Sequence, residues 1–359
     1  MEKLKIGLVG AGNIAQTHLS AYLKVKEAEV VAICDIDEER LNETADKYGI
    51  KNRFTSETEM LKSAELDAVD VCVWNCNHAK CAIEALDAGK HVLCEKPMAY
   101  SAKEAEEMLE ASKRNNKLLM IGFVLRFGND AVVAKDMIDA GVMGEVYHTK
   151  ATYLRQHGAP GGWFCNKELS GGGPVIDLGV HVIDITRYYM GCPKPVSVYA
   201  VTQEKLKNRP YLKTDVGWKP KGASDDDVYN VEDFATALIR YDNGSTTLLQ
   251  TSYSLNGVAE TSQELYGTKG GFKLGGAAFE GERSFKVYTE INGYLAEVKP
   301  ETKNLKKILG DMFYDEIQHF VDCVLHGIPC KAPAEDGVAI MKILDAIYES
   351  ARTGHEVVL

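Results

Sequence analysis

The chain has no excess of positive charge: 41 Lys and Arg stand against 52 Asp and Glu, a formal net charge of −11. Phosphate-rich partners need a basic face that releases counterions, so nucleic acid and anionic membrane surfaces are disfavoured as partners. No run of ~18 consecutive apolar residues occurs, so no segment reads as a membrane-spanning helix. The N-terminal stretch does not combine a charged leader with an apolar h-region, and a strand-like run begins within a few residues. Cysteine spacing offers no pair of C-x-x-C motifs of the zinc-finger kind. The nine cysteines are odd in number, and Cys34, Cys72 and Cys94 lie in apolar runs where a thiol behaves as a small hydrophobe. The absences together point to a reduced, cytoplasmic enzyme of small molecules. At 359 residues, 45% of them apolar, the chain has enough material for two domains with their own cores.

What is present begins with a short apolar strand over residues 4–9 that ends in Gly10-Ala11-Gly12-Asn13-Ile14-Ala15, followed by a helical pattern to about residue 24. This is the G-x-G-x-x-A form of the dinucleotide fingerprint. The first Gly allows the tight turn, the second lets the backbone approach a pyrophosphate, and the small Ala15 lets helix and strand pack closely. Gly10, Gly12, Asn13 and Ile14 are therefore expected to hold the cofactor phosphates. The next strand, 30–34, ends at Asp35, 20 residues beyond Ala15, where an acid that binds ribose hydroxyls is expected. The following residues are Ile36 and Asp37, with no adjacent Arg to welcome a 2′-phosphate, so NAD is preferred over NADP.

Strand patterns at 68–74, 91–94 and 118–122 alternate with helical patterns at 38–48, 78–88 and 102–115. A parallel Rossmann sheet with helices on both faces is the natural closure, and functional residues then belong at the carboxyl ends of its strands. Asn77, His78, Glu95 and Lys96 fall at such ends and are expected to contact the cofactor. An ammonium such as that of Lys96, in a dry pocket, can stabilise a developing alkoxide.

Further on, Gly171-Gly172-Gly173 leads into Pro174-Val175-Ile176-Asp177-Leu178-Gly179-Val180-His181-Val182-Ile183-Asp184. Pro174 suits a first helical position, and the aliphatic residues can bury the rest of the helix. Positions i and i+4 share a helix face, which sets Asp177 beside His181, with Asp184 one turn further on. Such a pair is either a structural Asp–His hydrogen bond or an acid–base site.

These segments resemble the glucose-fructose oxidoreductase and inositol dehydrogenase family, often written Gfo/Idh/MocA. The resemblance rests on the fingerprint, on Ala88-Gly89-Lys90-His91-Val92-Leu93-Cys94-Glu95-Lys96-Pro97-Met98-Ala99, on the helix from Gly171 to Asp184, and on Glu335-Asp336-Gly337 with Ile347-Tyr348-Glu349-Ser350-Ala351. It implies that Lys96, Asp177 and His181 are the catalytic residues and that the Lys96–Pro97 bond is often cis. His181 would act as general base on a secondary hydroxyl, Lys96 would support oxyanion character, and Asp177 would either orient His181 or bind substrate. No metal is required. Where members usually carry Thr-Pro-Asn, this chain has Asn75-Cys76-Asn77-His78, so only the last two positions keep the pattern.

After about residue 123 the pattern changes to strands at 146–154, 196–201, 234–241, 245–254, 262–266, 271–274 and 284–288, with Asp242-Asn243-Gly244 as a hairpin signal. The expectation is an α/β chain of two domains. Residues 1–122 form an NAD-binding Rossmann domain. Residues 123–359 form a substrate-binding and oligomerisation domain with a large, mostly antiparallel sheet, and a helix at 335–352 packs back on the core. By resemblance, one sheet face would build a homodimer or tetramer. Tyr153, Arg155, His157 and Trp163 lie in Gly/Pro-rich sequence before the 171–184 helix and can offer hydrogen bonds and an aromatic platform to a sugar; Arg126 joins them as a substrate candidate. The charged stretch 205–227 reads as a solvated loop. The function expected is NAD-dependent oxidation of a secondary hydroxyl of a carbohydrate, whether pyranose, glycoside or cyclitol, most narrowly C3 of a glucoside. The alternatives are a redox-neutral enzyme that retains NAD, an inositol dehydrogenase, and an NAD(H)-binding regulator.

Overall fold

The computed structural model describes residues 3–359 apart from 208, 210, 214–218, 221–222, 225, 277–283 and 301–308. Lys221 and Asp225 of the charged stretch lie outside the described residues. In the first part, short apolar strands alternate with helices: β1 (Leu4–Val9), α1 (Asn13–Tyr22), β2 (Ala28–Cys34), α2 (Glu38–Tyr48), β3 (Asn52–Phe54) and α3 (Glu57–Ser63). The pattern continues through β4 (Ala68–Val71), α4 (His78–Asp87), β5 (His91–Glu95), α5 (Ala102–Asn115) and β6 (Leu119–Gly122). Local chemistry sets the helix ends. Asp37 and Ser101 accept hydrogen bonds from the first turns of α2 and α5, and Gly49 and Asn116 close those helices in the left-handed region. The six strands run parallel in the order β3-β2-β1-β4-β5-β6. Strand order reverses between β1 and β4, which opens a crevice at their carboxyl ends.

The second part switches to a period of two. After α6 (Asn129–Asp139) come β7 (Val146–Leu154), the short α7 (Lys167–Ser170) and α8 (Val180–Tyr189). Then follow β8 (Pro195–Gln203), β9 (Phe234–Tyr241), β10 (Thr246–Ser252), β11 (Glu260–Gly267), β12 (Gly270–Gly276), β13 (Ser284–Ile291) and β14 (Tyr294–Val298). The chain ends with α9 (Leu309–His326), α10 (Ala334–Thr353) and β15 (Val357–Val358). A nine-stranded sheet has the order β14-β13-β12-β11-β7-β10-β9-β8-β15. Its pairs are antiparallel except β7 with β10, which run parallel. Along β9, Ala235, Ala237, Ile239 and Tyr241 face inward, whereas Leu238 lies on the exposed side, the alternation of a sheet with one covered face. Asp242-Asn243-Gly244 makes the β9–β10 turn, with Gly244 at φ +83°.

The compact units differ from a single cut after residue 122. One unit comprises Met1–Gly128 and Ile308–Met341, the other Asn129–Lys307 and Lys342–Leu359. The chain returns to the first unit because α9 packs on α1, with the rings of His18 and Phe313 5.7 Å apart. Beyond α9, Pro333 bridges to Met120 of β6. The expected 335–352 helix is α10. Its start belongs to the first unit, where Gly337 lies so near Met98 that an added Cβ would sit 2.5 Å from the sulfur. Its end belongs to the second, where Ser350 Oγ accepts from the Ala200 N–H at 2.9 Å. Among the described residues no helix is long and apolar enough to cross a membrane.

Candidate active site

The glycine-rich turn has the geometry a pyrophosphate requires. Gly10 sits at φ +96°, and a Cβ there would lie 2.3 Å from the Cys72 carbonyl oxygen, so only glycine fits. Gly12 begins α1 without a side-chain cap, a Cβ on it would meet nothing within 4 Å, and the first turn holds no acid. The N–H groups at the start of α1, from Asn13 and Ile14 onward, are therefore neither covered nor neutralised, as an anion-binding helix end needs.

Asp35 stands at the end of β2, buried, with Oδ2 accepting from the Ala11 N–H at 2.7 Å and Oδ1 from the Asp37 N–H at 2.9 Å. The structure adds a group that adjacency alone did not reveal. Once Asp37 caps α2, its first turn swings Arg40 back onto Asp35, with Nη2 2.6 Å from Oδ1 and Nε 3.0 Å from Oδ2. Each carboxylate oxygen thus already holds two donors, and a ribose diol that binds Asp35 competes with Arg40.

At the end of β5 a buried acid–base network anchors Lys96. Glu95 Oε2 accepts from the Lys96 N–H at 3.0 Å, while Glu95 Oε1 lies 3.1 Å from His18 Nε2 and Asp70 Oδ2 lies 2.8 Å from His18 Nδ1. Burial opposes a charge on His18, but Asp70 and Cys72 together outweigh it, through charge and hydrogen bonding, and hold the imidazole well above its ordinary value. Glu95, which burial alone would raise, is kept below the usual carboxylate range by its bond to His18. The Lys96–Pro97 bond is cis. His78, expected at the cofactor, is buried at 1% exposure. Its ring spans the Pro97 carbonyl at 2.7 Å and the Val73 carbonyl at 3.1 Å, and burial depresses its pKa. It ties two strand-end loops together instead of facing solvent. Asn77 ends the short turn before α4.

In the second unit, Asp177 lies in a single π-turn (Val175–Gly179) that runs into α8, which carries His181, where one regular helix was expected. From 172 to 187 every residue is buried except Asp177 and His181; Asp184 is fully enclosed. Glu232 sets the start of this segment. Its buried carboxylate accepts from the Gly173 N–H at 3.0 Å, the Val175 N–H at 3.1 Å and the Tyr348 hydroxyl at 2.9 Å. Those contacts explain the glycines: a Cβ on Gly172 would fall 1.9 Å from the Tyr348 oxygen, and one on Gly173 2.3 Å from the Glu232 carbonyl oxygen.

Around Asp177 the structure gathers part of the expected substrate loop. The Tyr253 hydroxyl donates to Asp177 Oδ2 at 3.0 Å. Arg155 Nη2 donates to the Tyr153 hydroxyl at 3.3 Å, with its guanidinium 5.3 Å from that ring. Burial opposes the Arg155 charge, yet Tyr153 and Asp177 raise its pKa. Tyr153 also packs on the Tyr253–Leu178 cluster. His157 is half-buried, and Trp163 stacks on Phe164 at 4.1 Å. Arg126 departs from its expected place. It is 1% exposed and donates to Asp336 Oδ2 at 2.8 Å and to the Lys331 carbonyl, which makes it an internal strut of the first unit. The 205–227 stretch is less solvated than read: Asp233 Oδ2 accepts from the N–H groups of Lys205, Leu206 and Lys207, and Arg209 is buried against Gln156 and Asn256. Lys96 belongs to the first unit, Asp177 and His181 to the second.

Comparison with known proteins agrees with this geometry. The model of an oxidoreductase family with an NAD-binding Rossmann fold matches residues 4–123, and that of the GFO/IDH/MocA C-terminal domain matches residues 132–273. The chain is 33% identical over 364 residues to D-glucoside 3-dehydrogenase of Escherichia coli (strain K12), spanning 99% of this chain and 97% of that relative. It is 27% identical to levoglucosan dehydrogenase of Pseudarthrobacter phenanthrenivorans, over 98% of this chain and 97% of the relative. Its fold is similar to that of a levoglucosan dehydrogenase in complex with NADH, with a TM-score of 0.85, 26% identity and 99% of each chain covered.

Proposed function

The chain belongs to the Gfo/Idh/MocA family of NAD-binding oxidoreductases, and from that membership we propose that it oxidises a secondary hydroxyl of a carbohydrate, most narrowly C3 of a glucoside to the 3-keto sugar. The observation that carries the reading is the pair Asp177 and His181, half-buried on an otherwise buried segment, with Tyr253 on the carboxylate and Arg155 and Tyr153 beside it. Full-length similarity to a D-glucoside 3-dehydrogenase supports the choice of C3.

NAD, when bound, supplies the hydride acceptor. The chain's own groups do the rest. His181 accepts the hydroxyl proton, an imidazole task near neutral pH. Asp177, fixed by Tyr253, holds a hydroxyl or the imidazole in place. The Lys96 ammonium, carried on a backbone held by the Glu95–His18–Asp70 network, stabilises alkoxide charge. Asp35 holds the cofactor ribose, and the open start of α1 holds its phosphates. The protein works in the cytoplasm as a homodimer or tetramer built on the nine-stranded sheet, where Tyr199, Val201, Leu238 and Tyr288 stand exposed.

The test is a screen of NADH formation over glucosides, free sugars and inositols, with NMR of the product. A ketone at C3 of a glucoside is expected; oxidation at C1, or turnover of inositols alone, overturns the narrow assignment. Product without net NADH would instead mark the redox-neutral alternative. Light scattering that gives a monomer would overturn the oligomer.

A further inference from the structure

We propose that His319, Cys323 and Cys330 form a binding site for one zinc-class cation, a site separate from the dehydrogenase chemistry. Their three donor atoms lie within 4.8 Å of one another. His319 and Cys323 are spaced i, i+4 on α9 and so share one face, with His319 Nε2 3.4 Å from Cys323 Sγ. The chain leaves α9 through Gly327, at φ +66°, and brings Cys330 back over that face. His319 and Cys323 are buried and Cys330 is half-buried, so the cluster is closed on the protein side and reachable from the Cys330 side.

The chemistry of the donor set selects the ion. Two thiolates and one neutral imidazole suit a borderline-soft d¹⁰ ion and not magnesium or calcium, which take oxygen ligands. Two thiolates also cancel a divalent charge, so the bound group leaves no net charge in a poorly solvated place. Three protein ligands and an open side leave the fourth tetrahedral position to water. Binding converts two thiols to thiolates and releases their protons to solvent. The tautomer is the one required: Nε2 accepts from the Lys331 N–H at 2.9 Å, so the ring proton sits on Nδ1 and the lone pair is on the nitrogen that lies 3.4 Å from Cys323 Sγ. A bound cation takes that lone pair in competition with the Lys331 N–H.

The consequence would be mechanical. The segment after Cys330 is the one that meets the edge strand β6: Ile121 donates to the Ala332 carbonyl at 3.0 Å, Met120 bridges Pro333, and Arg126 donates to the Lys331 carbonyl. A cation held by α9 and Cys330 clamps this return against the sheet.

The experiment uses the full chain, reduced and stripped with chelator, then titrated with Co²⁺ and afterwards Zn²⁺. Expected are thiolate-to-cobalt charge-transfer and tetrahedral d–d bands that saturate at one equivalent, displacement by Zn²⁺, and release of two protons per ion. The apparent melting temperature should rise by on the order of 5 °C at saturating Zn²⁺. Cys330→Ser, at a half-buried position, should remove the charge-transfer bands, whereas Cys192→Ser, a thiol of the other unit, should keep them. Absence of tetrahedral bands in the native chain overturns the proposal. Bands that survive Cys330→Ser, or rapid closure of a Cys323–Cys330 disulfide with no metal taken up after reduction, overturn it equally.

Discussion

Glu232→Gln isolates what holds the helix start that presents Asp177 and His181. The carboxylate, 6% exposed, accepts from two backbone N–H groups and the Tyr348 hydroxyl. An amide of the same shape keeps one acceptor. With its oxygen at the Oε1 position it retains Val175 and Tyr348, but its NH₂ then faces the Gly173 N–H, donor against donor. The loss of one charge-assisted bond and the burial of an unsatisfied donor cost roughly 3 kcal/mol. Burial pushes the Glu232 pKa up, so removing the charge returns part of this, and about 2 kcal/mol of net destabilisation is expected. Tyr348→Phe removes the bond to Glu232 together with the hydroxyl's backbone contacts to Gly173 and Ile176, and should cost about 1–2 kcal/mol. At about 2.1 cal/mol/K of unfolding entropy per residue, those figures correspond in a 359-residue chain to drops of about 3 °C and 1–3 °C. Because the clamp sets the backbone just ahead of Asp177, kcat should fall by roughly tenfold, in line with the sensitivity of catalysis to small misplacements, while NAD affinity stays unchanged. A Gln variant that melts within a degree of native and turns over normally would refute the reasoning.

Lys96→Ala and His181→Ala should each lower turnover by roughly 10²-fold or more with the protein folded and NAD binding nearly unchanged; near-native turnover in either would remove the assigned role. NAD should bind far more tightly than NADP. Asp35→Ala should narrow that gap by leaving Arg40 free for a 2′-phosphate, and Arg40→Ala should widen it; calorimetry that gives equal affinities in the native protein would contradict this. His18 has its pKa raised in the fold, so its stabilising contribution is complete below its ordinary 6.5 and is lost as pH rises through the raised value. Denaturant titrations should therefore show native stability decline toward alkaline pH and a flatter decline in His18→Gln; parallel curves would count against a charged His18.

Strong local signals made most elements legible. β1, β7, β9, α2 and α5 lie where the pattern places them, since each combines a clear period with a cap or a turn residue at its ends. β3 escaped because it is a three-residue edge strand, Asn-Arg-Phe, with no apolar alternation to read. The π-turn escaped because an i, i+4 argument assumes a regular helix, and the constraint that bends this one comes from Glu232 and Tyr348, distant in sequence.

The site residues divide along the same line. The positions of Gly10, Gly12, Asp35, Lys96, Asp177 and His181, at a tight turn, at strand ends and at a helix start, were legible because each belongs to a motif whose spacing encodes local geometry. Their supports were not, since a buried polar group is defined by a partner far along the chain: His18 by Asp70 and Glu95, Asp177 by Tyr253, Arg126 by Asp336. Yet a local trace of such groups exists. His18 falls on the inward stripe of α1 with Ala15, Leu19 and Tyr22, Asp70 sits inside the apolar strand Ala-Val-Asp-Val, and Glu316 and His319 share the inward face of α9 with Ile317, Phe320 and Val321. A polar residue where periodicity demands an apolar one must find a partner or carry a large desolvation cost. Each such violation therefore marks a buried network before its partner is known, as His319 marks the thiol cluster on α9.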